Sequence, residues 1–148
     1  MSFKKIIPGL LFLISFIMLL YTSYPSIGWW DSGFYAAASK DLGIPVPGGS
    51  ILFILLGKIF SLLFFFIPTA KAVTLVNIIS TSIAAVFLYY ALLILFRNLS
   101  IQTDDRVKVS AAFLTALSLP FMYSVWIQSN VTRVYILGLL FTGIIIFC

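Results

Sequence analysis

At 148 residues, with 62% hydrophobic and 9% charged positions, the chain lies far from the roughly 25% charged content of an average soluble domain and reads as an integral membrane protein. Nine Lys and Arg against four Asp give a net charge of +5. These charges are scattered through loops, so they read as topology determinants and not as a nucleic-acid surface. The one Cys, Cys148, excludes an intrachain disulfide or metal-thiolate cluster, the chain has neither His nor Glu, and no zinc-ligand spacing occurs, so no metal-binding residues are named and the need for a metal is left open.

Five apolar segments follow in chain order, at 6–22, 51–67, 72–96, 109–127 and 134–148, against the roughly 17 to 25 residues a spanning helix needs. The first follows Lys4 and Lys5, and no small-x-small cleavage pattern occurs around Tyr21-Thr22-Ser23-Tyr24-Pro25. It is expected to be an uncleaved signal anchor with a cytoplasmic N-terminus. The last stops after 15 residues, so the chain reads as an N-terminal fragment with a truncated final span.

Loop charge arbitrates whether all five segments cross. If they do, Arg97, Arg106 and Lys108 fall outside and the positive-inside bias vanishes; if 51–67 does not cross, that loop becomes cytoplasmic and the bias returns. Lys58 near the middle of this segment agrees, because a charge at the bilayer centre costs about 2.5 to 3.5 kcal/mol, and Gly57 weakens the helix beside it. The expected architecture is all-α and polytopic, with spans at about 6–22, 72–96, 109–127 and 134–148. The exterior loop 24–71 then holds interfacial helices at about 33–42 and 50–66.

That loop opens on Gly28-Trp29-Trp30-Asp31-Ser32-Gly33, the most polar, carboxylate-bearing stretch beside a span. Asp31 or Ser32 is expected to cap the first loop helix, Gly43 to end it in a left-handed conformation, and Pro45-Val46-Pro47-Gly48-Gly49 to form a turn. The same topology brings Gln128, Asn130 and Arg133, after the 109–127 span, to the face that carries Asp31. Opposite charges meeting at one membrane surface suit a charged, lipid-linked substrate.

Three runs carry a resemblance: Trp30-Asp31-Ser32-Gly33-Phe34-Tyr35-Ala36-Ala37-Ala38, Leu42-Gly43-Ile44-Pro45-Val46-Pro47-Gly48-Gly49, and Leu55-Leu56-Gly57-Lys58-Ile59-Phe60-Ser61-Leu62-Leu63. With Val76-Asn77-Ile78-Ile79-Ser80, Trp126-Ile127-Gln128 and Val134-Tyr135-Ile136-Leu137, the chain resembles, over residues 6–140, a membrane family long catalogued as a domain of unknown function. That family is related to protein O-mannosyltransferases of the GT-C superfamily. The resemblance implies an acidic residue at the start of the first exterior loop, two juxtamembrane helices in that loop, and many later spans. It also implies transfer of a sugar from a polyprenyl-phosphate carrier to a hydroxyl of a protein or glycan, in a bacterial inner (cell) membrane. The chain departs from the pattern at four positions: Phe34 and Arg133 stand where the family has Glu, Val46 where it has His, and Leu75 where it has Arg.

A hydroxyl is a poor nucleophile at neutral pH, so a carboxylate must take its proton as it attacks, and Asp31 is the candidate base. The phosphate leaving group needs cations, for which the candidates are Arg133, Lys58, Lys71 and Lys40. Each has a plainer reading: Asp31 as helix cap, Arg133 as a snorkelling side chain, and the lysines as headgroup anchors. Trp29, Trp30, Tyr24 and Trp126 read as an aromatic belt, and Asn77 as a hydrogen bond to a neighbouring helix. Two functions follow: a glycosyltransferase needing no evident cofactor, inactive without later spans, or a non-catalytic scaffold that binds lipid or a partner protein. A transporter fragment fits less well, since few polar groups lie within the spans.

Overall fold

The structure is a computed structural model that describes residues 3–29, 31–44, 51–99 and 103–147, with side chains from Ile6 onward. Trp30 and the turn expected at residues 45–49 lie outside the described residues. Every regular element among those residues is helical: α1 (Phe3–Thr22), α2 (Ser32–Asp41), α3 (Ile51–Leu63), α4 (Thr69–Asn98), α5 (Asp105–Ser118), a 3-10 turn (Leu119–Phe121), α6 (Tyr123–Ser129) and α7 (Tyr135–Phe147). The all-α class expected from composition is therefore what the chain adopts.

Helix α4 is the axis of the assembly, packing against α1, α2, α3, α5, α6 and α7. Its 30 residues extend about 45 Å at 1.5 Å per residue. It is the one described helix long and apolar enough by itself to cross a membrane. α5 with its 3-10 turn and α6 make a second such stretch if taken together, but bent by 59°, and α1, α3 and α7 are shorter apolar helices.

The packing partners fix the direction of each helix along α4. Leu19 of α1 clusters with Leu75 and Ile78, and Leu11 with Ala85 and Tyr89, so α1 runs antiparallel. Ala112 and Ala116 of α5 join Leu11, Ala85 and Tyr89. Leu137 of α7 lies with Val73 and Val76, and the Phe147 ring meets Phe87 at a tilt with centroids 5.5 Å apart, so α7 runs parallel to α4. One end of the bundle thus gathers the starts of α1 and α5 with the end of α4; the other gathers the end of α1, the start of α4, α6 and the start of α7.

Helix α3 stays at this second end. Phe53 near its start clusters with Val73 and Val76, and Phe60 and Phe64 near its end with Leu75 and Ile78. The α4 residues in these two clusters, Val73 to Ile78, fall within the first third of α4. A helix lying along α4 would reach progressively different residues; α3 crosses it. Gly57 permits the crossing, because a Cβ there would stand 2.8 Å from Ser39 Cβ and 3.0 Å from Val73 Cγ1. Its role is close approach of α2, α3 and α4, beyond the helix weakening read from the sequence.

Four local expectations are corrected. Asp31 occupies the N-cap position of α2 but makes no side-chain capping bond, and the Ser32 hydroxyl instead donates back to Trp29 O at 2.9 Å. The left-handed residue ending α2 is Leu42 (φ 55°), not Gly43, whose N–H donates to Ala38 O at 3.0 Å. The segment 109–127 is not one helix: Leu119-Pro120 turns it, and Pro120 fills a position where a missing N–H costs little. Helix α5 begins four residues earlier than expected, because Asp104 caps it by accepting from Arg106 N at 3.0 Å.

Candidate functional site

On one face of α4, Thr74, Asn77 and Thr81 follow at helical spacing, and all three are buried. They face the end of α6 and the non-helical elbow that leads to α7, where Ser129, Asn130 and Thr132 are also buried. The Thr74 and Thr132 hydroxyls lie 3.0 Å apart, and Thr132 also donates to Ala70 O at 3.1 Å. Thr81 and Ser129 meet at 2.6 Å. The Asn77 amide nitrogen donates to Val131 O at 2.7 Å, Arg133 O at 2.8 Å and, more weakly, Gln128 O at 3.4 Å. Buried polar groups need partners to offset desolvation, and here nearly all of them find partners within this knot.

The end of α1 is tied into the same place. Thr22 Oγ1 accepts from Trp126 Nε1 and from Asn130 Nδ2, each at 3.2 Å, and Tyr24 N donates to Asn130 O at 3.3 Å. The corner after it, residues 24–29, lies against the elbow: a Cβ on Gly28 would come within 2.8 Å of Val131 Cγ1. Between corner and elbow opens a cleft of about 490 Å³ lined by Tyr24, Trp29, Ile127, Gln128, Val131 and Arg133. Within it Arg133 Nη1 donates to Gln128 Oε1 at 3.2 Å. A guanidinium, a primary amide, a phenol and an indole around a concave space can receive an anion attached to a polyol.

The other residues singled out from the sequence fall around this cleft in distinct ways. Asp31 is exposed, stands two residues beyond the cleft-lining Trp29, and is not itself in the lining. Its field reaches Tyr35, whose phenol is pushed above its ordinary 10.0 first by burial, then by the charge of Asp31 and then by Tyr135. The Lys58 ammonium donates to Lys40 O in the last turn of α2. The Lys71 ammonium donates to Leu20 O at 3.5 Å, to Ser23 O at 3.3 Å and to Ser23 Oγ. Both lysines thus close helix C-termini, where free carbonyls and the dipole favour cations. Lys40 supplies a backbone acceptor, and its side chain is exposed. The cleft brings Arg133 and Gln128 together, Asp31 stands two residues along the chain from its lining Trp29, and none of the three lysines belongs to the lining.

Sequence reading missed Thr74, Thr81, Ser129, Asn130 and Thr132 as one unit. The signal was present: a polar stripe at i, i+3 and i+7 on an apolar helix, and the polar run Ser129-Asn130-Val131-Thr132-Arg133 between two apolar ones. Trp126, read as part of an aromatic belt, is half-buried and donates its indole N–H to Thr22 Oγ1 at the end of α1. Among the described residues no group of three or more His, Cys, Asp or Glu gathers.

No curated protein and no solved structure matches the chain. The family model described as the protein O-mannosyl-transferase TMEM260 N-terminal domain matches residues 31–148, well over half of the chain and including the whole of the elbow and α4. The chain therefore belongs to the family of the TMEM260 protein O-mannosyl-transferase N-terminal domain.

Proposed function

We propose that this chain is the N-terminal part of a polytopic membrane glycosyltransferase of GT-C type that takes its sugar from a polyprenyl-phosphate carrier. In this reading α1, α4, α5 with α6, and α7 cross a bacterial cell membrane, with the N-terminus cytoplasmic. The cleft faces outward and α2 and α3 lie at that outer surface. One observation supports the placement of α3: the α4 residues it clusters with, Val73, Leu75, Val76 and Ile78, lie near one end of the bundle. Lys4, Lys5, Arg97, Arg106 and Lys108 all fall at the opposite end, as a cytoplasmic face requires.

The observation that carries the function is the cleft of Arg133, Gln128, Tyr24 and Trp29 at the bundle end that also holds Asp31, in a chain of an O-mannosyl-transferase family. Arg133 holds the carrier phosphate and stabilises the charge that gathers on it as the glycosidic bond breaks. Asp31 accepts the proton of an acceptor hydroxyl, on a protein or glycan, as its oxygen bonds to the anomeric carbon.

The test is transfer from a polyprenyl-phosphate sugar by the complete protein in liposomes. Asp31→Asn is expected to lower the rate by about 10² to 10⁴, with donor KM little changed. Wild-type transfer that survives undiminished in Asp31→Asn overturns the assignment of the base. A second reading, a non-catalytic scaffold that binds lipid or a partner protein, is favoured by the position of Asp31 outside the cleft lining. It predicts no transfer at all and lipid-sugar binding that is the same in wild type and Asp31→Ala.

A further inference from the structure

The three carbonyls bound by the Asn77 amide nitrogen, those of Gln128, Val131 and Arg133, belong to three of the residues that line the cleft. Two of these are the pair whose side chains join across it, Arg133 to Gln128. We infer that Asn77 is a positioning residue: one buried amide on α4 sets the backbone of the elbow and thereby the separation and aim of Gln128 and Arg133 in the cleft. The inference rests on the proposed role of Arg133 toward the carrier phosphate and adds the group that holds it in place.

The chemistry selects the amide. Three carbonyl oxygens converge, so the side chain must donate, and the amide orientation is settled by that convergence. The far oxygen, Asn77 Oδ1, is buried without a partner. A buried acceptor left idle is a cost that makes sense if the donor end is what the position requires. No other donor in the knot spans the elbow in this way: Thr74 reaches only Thr132 there, and Thr81 only Ser129. A guanidinium that must meet a phosphate loses most of its value if its backbone shifts by about 1 Å.

The experiment is a double-mutant cycle in the complete protein, with Asn77→Leu chosen because it keeps the branching at Cγ and removes the donor, and with the smaller Asn77→Ala beside it to separate lost donation from added bulk. In the wild-type background, Asn77→Leu is expected to raise the KM for polyprenyl-phosphate sugar about tenfold with kcat less affected. In an Arg133→Ala background it is expected to change KM little, because the residue it positions is gone. Equal effects in both backgrounds overturn the inference and leave only a structural role. A second measurement needs no turnover: with Arg133→Cys in a protein whose native cysteines, Cys148 among them, are replaced by Ser, the labelling rate by a charged, membrane-impermeant thiol reagent is expected to change at least about threefold on Asn77→Leu. An unchanged labelling rate also overturns it. If Arg133→Ala itself leaves donor KM unchanged, the proposed function of Arg133 falls, and the labelling rate alone decides whether Asn77 positions the elbow.

Discussion

Around Leu11, Ala85, Tyr89, Ala112 and Ala116, the end of the bundle that holds the start of α1 is packed almost wholly by hydrocarbon, three of its five buried core residues being alanine. Around Asn77, the other end buries Thr74, Thr81, Ser129, Asn130 and Thr132 and is joined by directed hydrogen bonds. The first kind of joint specifies volume and tolerates small slips, since dispersion has no preferred direction. The second specifies positions to a few tenths of an ångström. The cleft lies at the second, which is where an arginine and an amide have to be held at a fixed separation.

The comparison breaks most readily at the apolar end. Leu11 is fully buried, and Leu11→Ala is expected to cost about 2 to 5 kcal/mol through lost packing and the cavity left behind, measured by denaturant unfolding in detergent. The thiol reactivity of Arg133→Cys should stay as it was, and a change there would mean that the two ends are not separable. Gly9→Ala, half a turn away with nothing within 4 Å of the added Cβ, is expected to stabilise slightly, as Gly→Ala does inside a helix.

At the crossing of α2, α3 and α4 the sign reverses. Gly57→Ala places a methyl against Ser39 and Val73 and is expected to destabilise by about 1 to 3 kcal/mol, whereas Gly138→Ala on α7 meets nothing within 4 Å and should be tolerated. Equal stability of the two variants would show that α3 does not sit as closely on α4 as Gly57 implies. A smaller effect is expected in the polar knot itself. Thr81→Val removes the 2.6 Å hydroxyl contact with Ser129, but Ser129 still donates to Val125 O at 2.7 Å. The loss should be about 0.6 to 1.5 kcal/mol; a loss several times larger would mean that the knot acts as one cooperative unit.

The apolar end was the more legible in the sequence, and the reason is physical. Long apolar runs announce helices through composition alone, so α1 and α4, which build that end, fall close to the segments read from hydropathy. The bend between α5 and α6 was overlooked because 109–127 is continuously apolar, although Pro120 marks the place where the helix tightens into a 3-10 turn. Gly43 drew attention as the natural left-handed residue, yet Leu42 takes that conformation. Lys58 and Lys71 were open to several roles in sequence. Only the three-dimensional approach of their ammonium groups to the ends of α2 and α1 reveals what they hold. For the same reason Asn77 was recognisable as an intramembrane hydrogen-bonding group, while its partners, more than fifty residues away, were not.

The smallest effect concerns the corner beside the cleft, and pH reaches it without altering packing. Tyr35 sits in edge-on contact with Phe53 at 5.8 Å, and burial, then Asp31, then Tyr135 hold its pKa above 10.0. A raised pKa means that the folded protein binds the phenolic proton more tightly than the unfolded chain does. The associated stability is thus present below about pH 10 and is lost as pH rises through the folded-state value. Replacing Asp31 by Asn removes one of the two charges that oppose ionisation but leaves burial in place. The Tyr35 titration, isolated as the difference in phenolate absorbance between each protein and its Tyr35→Phe counterpart, should move down toward 10.0 without reaching it. If it does not move, the carboxylate does not face Tyr35 across the first turn of α2 as described; if it moves, Asp31 is placed at the start of α2 by a measurement independent of catalysis.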